Sequence, residues 1–265
     1  MKTRGFTLLE LLLVIGIIGL LTALLAPALR AAKEQARAAQ CRSNIRHIGV
    51  GFSLYQTDNQ SFPYAFVPPS LLSAPPPGGY VGDPAFDRMG WWWFHFLADY
   101  RNEISSSPSI FCCPSRKVAD PETNKNLLCA NYGVNLSVVK YAAGKDEYHD
   151  FIGTPLDRSK LPYPEETMMI LDAGYATICW WQAADRPPLP LGRSHEELSY
   201  VPGLGINTER SVWYSLKDDA VHGRHGDKTV QIGFADGHVT PQQAETLLVQ
   251  ERNGEYRNRA SLWQP

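Results

Sequence analysis

The residues with the greatest capacity for chemistry lie at opposite ends of the chain. Toward the C-terminus, the run HGRHGDKTVQIGFADGHV holds His222, His225, Asp227, Asp236 and His238. These are nitrogen and oxygen donors of the kind that bind divalent metals. Asp-Gly between apolar segments signals a hairpin, which can bring the two ends of the run together. His222, His225, Asp236 and His238 are therefore the candidate metal ligands. The plainer reading, a polar surface hairpin with no metal, weighs more, because no HExxH, GxSxG or Gly-rich phosphate loop accompanies them. At the other end, Glu10 is the one charged residue in residues 6–29, FTLLELLLVIGIIGLLTALLAPAL. A carboxylate in a membrane span costs about 2.5–3.5 kcal/mol at the centre and less near the edge, so it calls for a partner. A cut between Gly5 and Phe6 would supply one, since the freed α-amine is a cation at neutral pH in the same layer. Phe6 and Glu10 are four apart and share a helix face. Between parallel helices offset along their axes, Glu10 of one meets the amine of the next. The alternative for Glu10 is snorkelling toward the headgroups.

Two further groups invite a chemical reading. The five cysteines are Cys41, Cys112, Cys113, Cys129 and Cys179. Outside the cytoplasm, Cys129 pairs with Cys112 or Cys113 across a loop of about 15 residues, a bond worth about 3 kcal/mol, although connectivity is not readable from spacing. Adjacent cysteines lack the CxxC spacing of a zinc knuckle. The aromatic run Trp91, Trp92, Trp93, Phe94, His95 and Phe96 could face sugar rings or a neighbouring subunit; alternation in and out of a core is the favoured reading.

Several elements must position these groups. Residues 6–29 exceed the roughly 20 apolar residues a spanning helix needs and the 7–15 of a cleavable signal peptide. A buried core helix would need apolar neighbours on every side. Pro27 lacks the N–H that would bond back to Ala23, which favours a kink. Gly16 and Gly19 are small enough for another helix to approach. Beyond Pro27, Ala38, Cys41, Ile45, Ile48, Phe52 and Tyr55 form one apolar stripe at helical spacing. It is too short for a coiled-coil seam and suited to docking on the protein's own sheet. A helix from Phe6 to about Gln56 would be roughly 75 Å long. Residues 59–84, rich in Pro, Gly and Ser, read as a linker or long loop. Residues 167–172 (TMMILD) and 229–235 (TVQIGFA) read as strands, 238–240 as a return strand and 242–250 as a short closing helix.

Composition bounds the function. The 265 residues carry a formal charge of -2, with 25 basic and 27 acidic groups, so nothing marks the chain as a nucleic-acid binder. The near-neutral total conceals a split: residues 1–56 hold seven basic groups against two acidic, and the rest hold eighteen against twenty-five. Lys2 and Arg4 precede the apolar run, whereas Arg30, Lys33, Arg37, Arg42 and Arg46 follow it. Positive charge alone would thus orient an exported head the wrong way round.

The segment MKTRGFTLLELLLVIGIIGLL resembles the type IV prepilin signal, with Gly5, Phe6 and Glu10 on its defining positions and Thr7, Leu8 and Leu9 as common filler. The resemblance implies that a membrane-embedded peptidase removes residues 1–5 and that Phe6 is N-methylated. It also implies that the helix stays attached, first as an anchor and then as filament core, with the leader cytoplasmic and the rest outside the inner membrane. A second resemblance, to prepilin-type proteins ending in His, nine residues and Asp-Gly, rests on Asp236-Gly237-His238-Val239, Cys113-Pro114-Ser115 and Tyr132-Gly133-Val134-Asn135. Here His225 stands ten residues before Asp236, one more than the pattern, and a bulge could absorb the difference.

The resulting expectation is an α+β, pilin-like fold: a long N-terminal helix, transmembrane then amphipathic, packed on an antiparallel sheet. The divisions are a leader (1–5), a span (6–29), an amphipathic continuation (30–56) and an extracytoplasmic, periplasmic head (57–265). The expected function is that of a pseudopilin in a type II secretion or type IV pilus-like filament, without enzymatic activity or cofactor. Its expected partners are the prepilin peptidase and N-methyltransferase, other pilin-like subunits and inner-membrane lipid, with no nucleic acid. The competing reading is a membrane-tethered head, binding metal, ligand or carbohydrate or acting as an enzyme, exported by a prepilin signal.

Overall fold

The computed structural model describes residues 7–76, 89–97, 109–144, 150–188, 197–259 and 262–264. A single helix, α1 (Leu8–Asn59), dominates it and runs through Pro27 without a break. It begins at Thr7, the N-cap, and ends where Gln60 turns left-handed at φ 60° and its N–H closes on the Gln56 carbonyl at 2.8 Å. Its first half is apolar all round. Its second half is apolar on one side, and there Cys41, Asn44, Ile45, Ile48, Gly49, Gly51 and Phe52 are buried.

The remaining elements are short. They are β1 (Phe66–Val67), β2 (Trp91–Trp92), α2 (Trp93–Phe96), α3 (Pro121–Lys125), β3 (Tyr132–Asn135), β4 (Met168–Asp172), β5 (Thr177–Ile178), α4 (Trp180–Ala183), α5 (Lys217–His222), β6 (Thr229–Phe234), β7 (Val239–Gln243), β8 (Gln250–Arg252) and β9 (Glu255–Arg257). The main sheet has the order β5-β3-β4-β6-β7. Its neighbours are antiparallel except for the parallel pair β3 and β5, so the expected antiparallel head is a mixed sheet. The buried side of α1 lies on β6 and β7. Contact is close: a Cβ on Gly233 would sit 2.7 Å from Ile45 Cγ2 and 2.9 Å from Ile170 Cγ2, so glycine is what lets the helix approach the strand. The fold is thus the α+β arrangement of a long helix docked on a sheet.

Three local expectations need correction. Part of the segment read as a linker is core: Phe62, Ala65, Phe66 and Val67 are buried, and β1 pairs with β2. The aromatic run does not alternate along one strand. It turns from β2 into α2, burying Trp92, Trp93, Phe94 and His95, with Trp93 stacked on Phe52 at 5.7 Å. These rings are spent on the core, which removes them as a sugar platform. In place of the closing helix over 242–250, a 3-10 turn at Ala244–Leu247 lies between β7 and β8. The β6–β7 ladder pairs without interruption from Thr229 with Gln243 to Gly233 with Val239. No bulge interrupts that ladder, and just before it, in the turn Gly226–Lys228, Asp227 and Lys228 have φ of 55° and 54°.

Candidate functional site

The first candidate surface is the free half of α1. Residues 8–33 are all exposed, including Leu8, Leu9, Leu12, Ile15, Ile18 and Leu24. The helix is long and apolar enough to cross a membrane, with a mean hydropathy of 2.7 over its best stretch and none of that stretch buried. At its tip Glu10 closes a capping box. Its Oε2 accepts from the Thr7 N–H at 2.9 Å and from the Thr7 hydroxyl at 2.8 Å, while Thr7 Oγ1 accepts from the Glu10 N–H at 3.3 Å. In a single chain the carboxylate is thus partnered from its own first turn. Gly5 and Phe6 lie outside the described residues.

The second candidate lies where α1 meets the head. Four segments contribute one donor each: Cys41 from α1, Cys113 from the loop before α3, Asp172 from the end of β4 and His225 from the link between α5 and β6. Their ligand atoms all lie within 4.8 Å of one another. Cys113 Sγ is 3.9 Å from Cys41 Sγ and 3.9 Å from His225 Nε2. His225 Nε2 is 3.3 Å from Asp172 Oδ2, and the Cys41 thiol donates to Asp172 Oδ1 at 3.4 Å. None of the four residues is more than 4% exposed.

A polar shell surrounds these donors. His225 Nδ1 is 3.2 Å from Glu34 Oε1, which also accepts from the Ser115 hydroxyl at 2.7 Å. Asp172 Oδ2 accepts from the Gln231 N–H at 2.8 Å, and the Arg224 guanidinium stands 3.6 Å from Asp172 Oδ1. Arg224 is itself sealed. It pairs with both oxygens of Asp219 at 2.9 Å and donates to the carbonyls of Asn131 and Ala173. Tyr200 donates to Asp219 at 2.9 Å.

The electrostatics follow from burial set against these contacts. Burial pushes the Asp172 carboxyl up, but His225 and Arg224 outweigh it and hold it below its ordinary value. Burial pushes His225 down, and its bonds to Asp172 and Cys113 reverse that and raise it to about 10. Burial raises Cys113, and contacts from Cys41 and His225 with the charge of Arg224 bring it down to about 7. Cys41 remains well above its ordinary value, burial being the largest cause. The cluster can therefore keep charge in the interior, and its donor set is one a metal could use.

Of the four candidate metal ligands read from the sequence, only His225 joins this cluster. His222 is exposed on α5, 4.0 Å from Asp218. Asp236 and His238 face each other across the β6–β7 turn, Nδ1 to Oδ1 at 2.6 Å, with the His238 ring stacked on Phe234 at 4.3 Å. They form a turn clasp, with Gly237 supplying the φ of 97° that the turn requires. Cys41, Cys113, Asp172, Glu34 and Arg224 escaped the sequence reading as site residues. The expected disulfide is also corrected: among the described residues none joins Cys129 to Cys112 or Cys113. Asn131 Oδ1 holds the Cys113 N–H at 3.0 Å with the thiol toward Cys41, while Cys129 packs in a separate cluster with Leu198 and Tyr200.

Fold and surfaces together define an α+β head carried on a helix whose exposed half suits lipid or other helices. Comparison with known proteins finds similarity in the N-terminal part of the chain. Residues 1–26 match the prokaryotic N-terminal methylation motif, and residues 30–100 match a family described as a protein of unknown function (DUF1559). The chain is similar to the type II secretion system core protein G of Escherichia coli (strain K12), 42% identical over 62 residues, covering 23% of this chain and 43% of that protein. It is also similar to the protein of the same name from Klebsiella pneumoniae, 34% identical over 90 residues, covering 30% of this chain and 64% of that protein. The chain thus spans less than two thirds of the length of these relatives. No solved structure matches it. The similarity lies in the N-terminal part of the chain, which carries the methylation motif and the apolar helix.

Proposed function

We propose that this protein is a pseudopilin, a structural subunit cleaved after Gly5, N-methylated at Phe6 and assembled through its apolar helix into a type II secretion or type IV pilus-like filament. The observation that carries the reading is the division of α1. Its second half is fixed to the head by buried side chains, whereas residues 8–29 remain exposed and largely apolar on all sides, with Glu10 the one charged residue. Such a surface is stable in lipid before assembly and against other helices after it. In this arrangement the leader is cytoplasmic, the span lies in the inner membrane and the head is extracytoplasmic. Glu10 exchanges its capping contacts for the methylated amine of a neighbouring subunit, which would otherwise be a buried, unpaired cation costing several kcal/mol. The role is structural rather than catalytic, and its partners are the prepilin peptidase and N-methyltransferase and other pilin-like subunits.

Mass spectrometry of the mature N-terminus tests the processing. Protein beginning at methylated Phe6 is expected, and Gly5→Leu should retain the leader; mature protein starting at Phe6 in that variant would overturn the cleavage assignment. Glu10→Val should be cleaved and inserted normally yet give few filaments, and normal polymerisation would remove the pairing role.

A further inference from the structure

The structure assigns a buried structural zinc site to Cys41, Cys113, His225 and Asp172, clamping the amphipathic half of α1 to the head. The donor set comes first: two thiols, an imidazole and a carboxylate are the ligands Zn²⁺ takes in closed, four-coordinate sites. Geometry agrees. Tetrahedral zinc with bonds of about 2.3 Å to sulfur and about 2.0 Å to nitrogen or oxygen separates two sulfurs by about 3.8 Å, sulfur from nitrogen or oxygen by about 3.5 Å, and nitrogen from oxygen by about 3.3 Å. The observed separations are 3.9 Å between the sulfurs, 3.9 Å from Cys113 Sγ to His225 Nε2, 3.4 Å from Cys41 Sγ to Asp172 Oδ1 and 3.3 Å from His225 Nε2 to Asp172 Oδ2, so the two carboxylate oxygens face different neighbours, and all four donors lie within 4.8 Å of one another.

The surroundings are those of a metal ligand set. His225 offers Nε2 to the centre while Nδ1 is engaged by Glu34, itself held by Ser115. A carboxylate on the far nitrogen fixes ring orientation and tautomer. Asp172 is oriented by the Gln231 N–H. Zinc entering as Zn²⁺ displaces to solvent the thiol protons still present and the Nε2 proton of the His225 imidazolium, so that both sulfurs bind as thiolates and the imidazole binds as the neutral ring. Two thiolates, one carboxylate and the ion then sum to a single negative charge, and the Arg224 guanidinium lies 3.6 Å from that carboxylate.

Catalytic use of the same atoms as nucleophile and base is contradicted by burial, since Cys113 is 2% and His225 4% exposed. All four positions are filled by protein, which is the mark of a structural centre. The ligands lie as far apart in sequence as Cys41 and His225, so one ion would fasten the stalk to three segments of the head. The assignment is independent of filament assembly.

Full-length protein purified from membranes in detergent, without chelator, provides the test. About one zinc per chain is expected by elemental mass spectrometry, with Cys41 and Cys113 alkylated only after denaturation with chelator. Cobalt substitution of the unmutated protein should give the intense absorption of thiolate bound to tetrahedral cobalt. Glu34→Gln, which leaves all four ligands in place, should weaken zinc binding about 10- to 100-fold in a chelator competition. A Cys41–Cys113 disulfide with no metal, seen as a mass two hydrogens lower and thiols that resist alkylation without reductant, would overturn the assignment. So would cobalt bound without sulfur absorption, or zinc retained at full stoichiometry in the double variant Asp172→Asn, His225→Ala.

Discussion

The two halves of α1 are one continuous helix, yet they meet opposite environments. Residues 8–29 are apolar on every side and exposed, whereas from Cys41 to Phe52 a single stripe is buried against β6 and β7. The difference shows that hydrophobicity alone does not dock a helix. The first half has far more apolar surface, but no sheet among the described residues covers it. The second half carries its apolar groups at the spacing that one sheet face can accept, with polar residues on the remaining sides. The helix is thus anchored at one end by its own head and left available at the other.

The head end also holds charge in its interior, and disturbing that charge should have the largest effect. Arg224→Met leaves Asp219 buried without its cation and takes from Asp172 one of its two, His225 remaining, which should cost about 3–5 kcal/mol of head stability. All seven tryptophans lie outside α1, so urea unfolding of the detergent-solubilised chain followed by tryptophan fluorescence reads the head alone. A loss below about 1 kcal/mol would show that the network does not hold the junction together.

The next effect contrasts the halves with one substitution. Ile48→Ala removes a fully buried side chain and should lower head stability by about 2–5 kcal/mol. Ile17→Ala, at an exposed position, should change it by less than about 0.5 kcal/mol in the same fluorescence assay. Equal losses would mean that the first half also packs on the head, and the comparison would fail.

The stripe at 38, 41, 45, 48, 52 and 55 was legible because helical period is a local property of sequence, and strands β4 and β6 were legible for the same reason. The cluster was not, because its members converge only in three dimensions. Cys41 is indistinguishable from a small apolar residue within its stripe. Asp172 read as the last residue of a strand; a carboxylate closing the otherwise apolar MILD segment was the one signal available. His225 was visible through its nearness to Asp-Gly, but that nearness suggested Asp236 and His238 as companions, which the turn keeps to themselves. The disulfide expectation failed for a related reason: sequence distance favoured a short loop to Cys129, while the Asn131 side chain holds the Cys113 backbone with its thiol toward α1.

The smallest expected effect distinguishes head from stalk by acid. His95 is buried, its Nδ1 accepts from the Trp92 N–H at 2.9 Å, and its Nε2 has no hydrogen-bond partner among the described residues. Burial lowers its pKa to about 4, against about 6.5 in an unfolded chain. Between these values the unfolded chain binds a proton that the folded head refuses, so stability is fully present above about pH 6.5 and falls as the pH drops toward 4. The full shift corresponds to at most about 3 kcal/mol, and the share already lost at pH 5 is about half of that. Urea unfolding at pH 7 and pH 5 should therefore show a head less stable in acid, and His95→Asn should reduce that difference even if it lowers stability at both values. An equal acid loss in the variant would assign the effect to other groups. Helical content of residues 8–29, read by circular dichroism of a synthetic peptide of that segment in lipid vesicles, should not follow this transition, because no histidine lies in that half of α1.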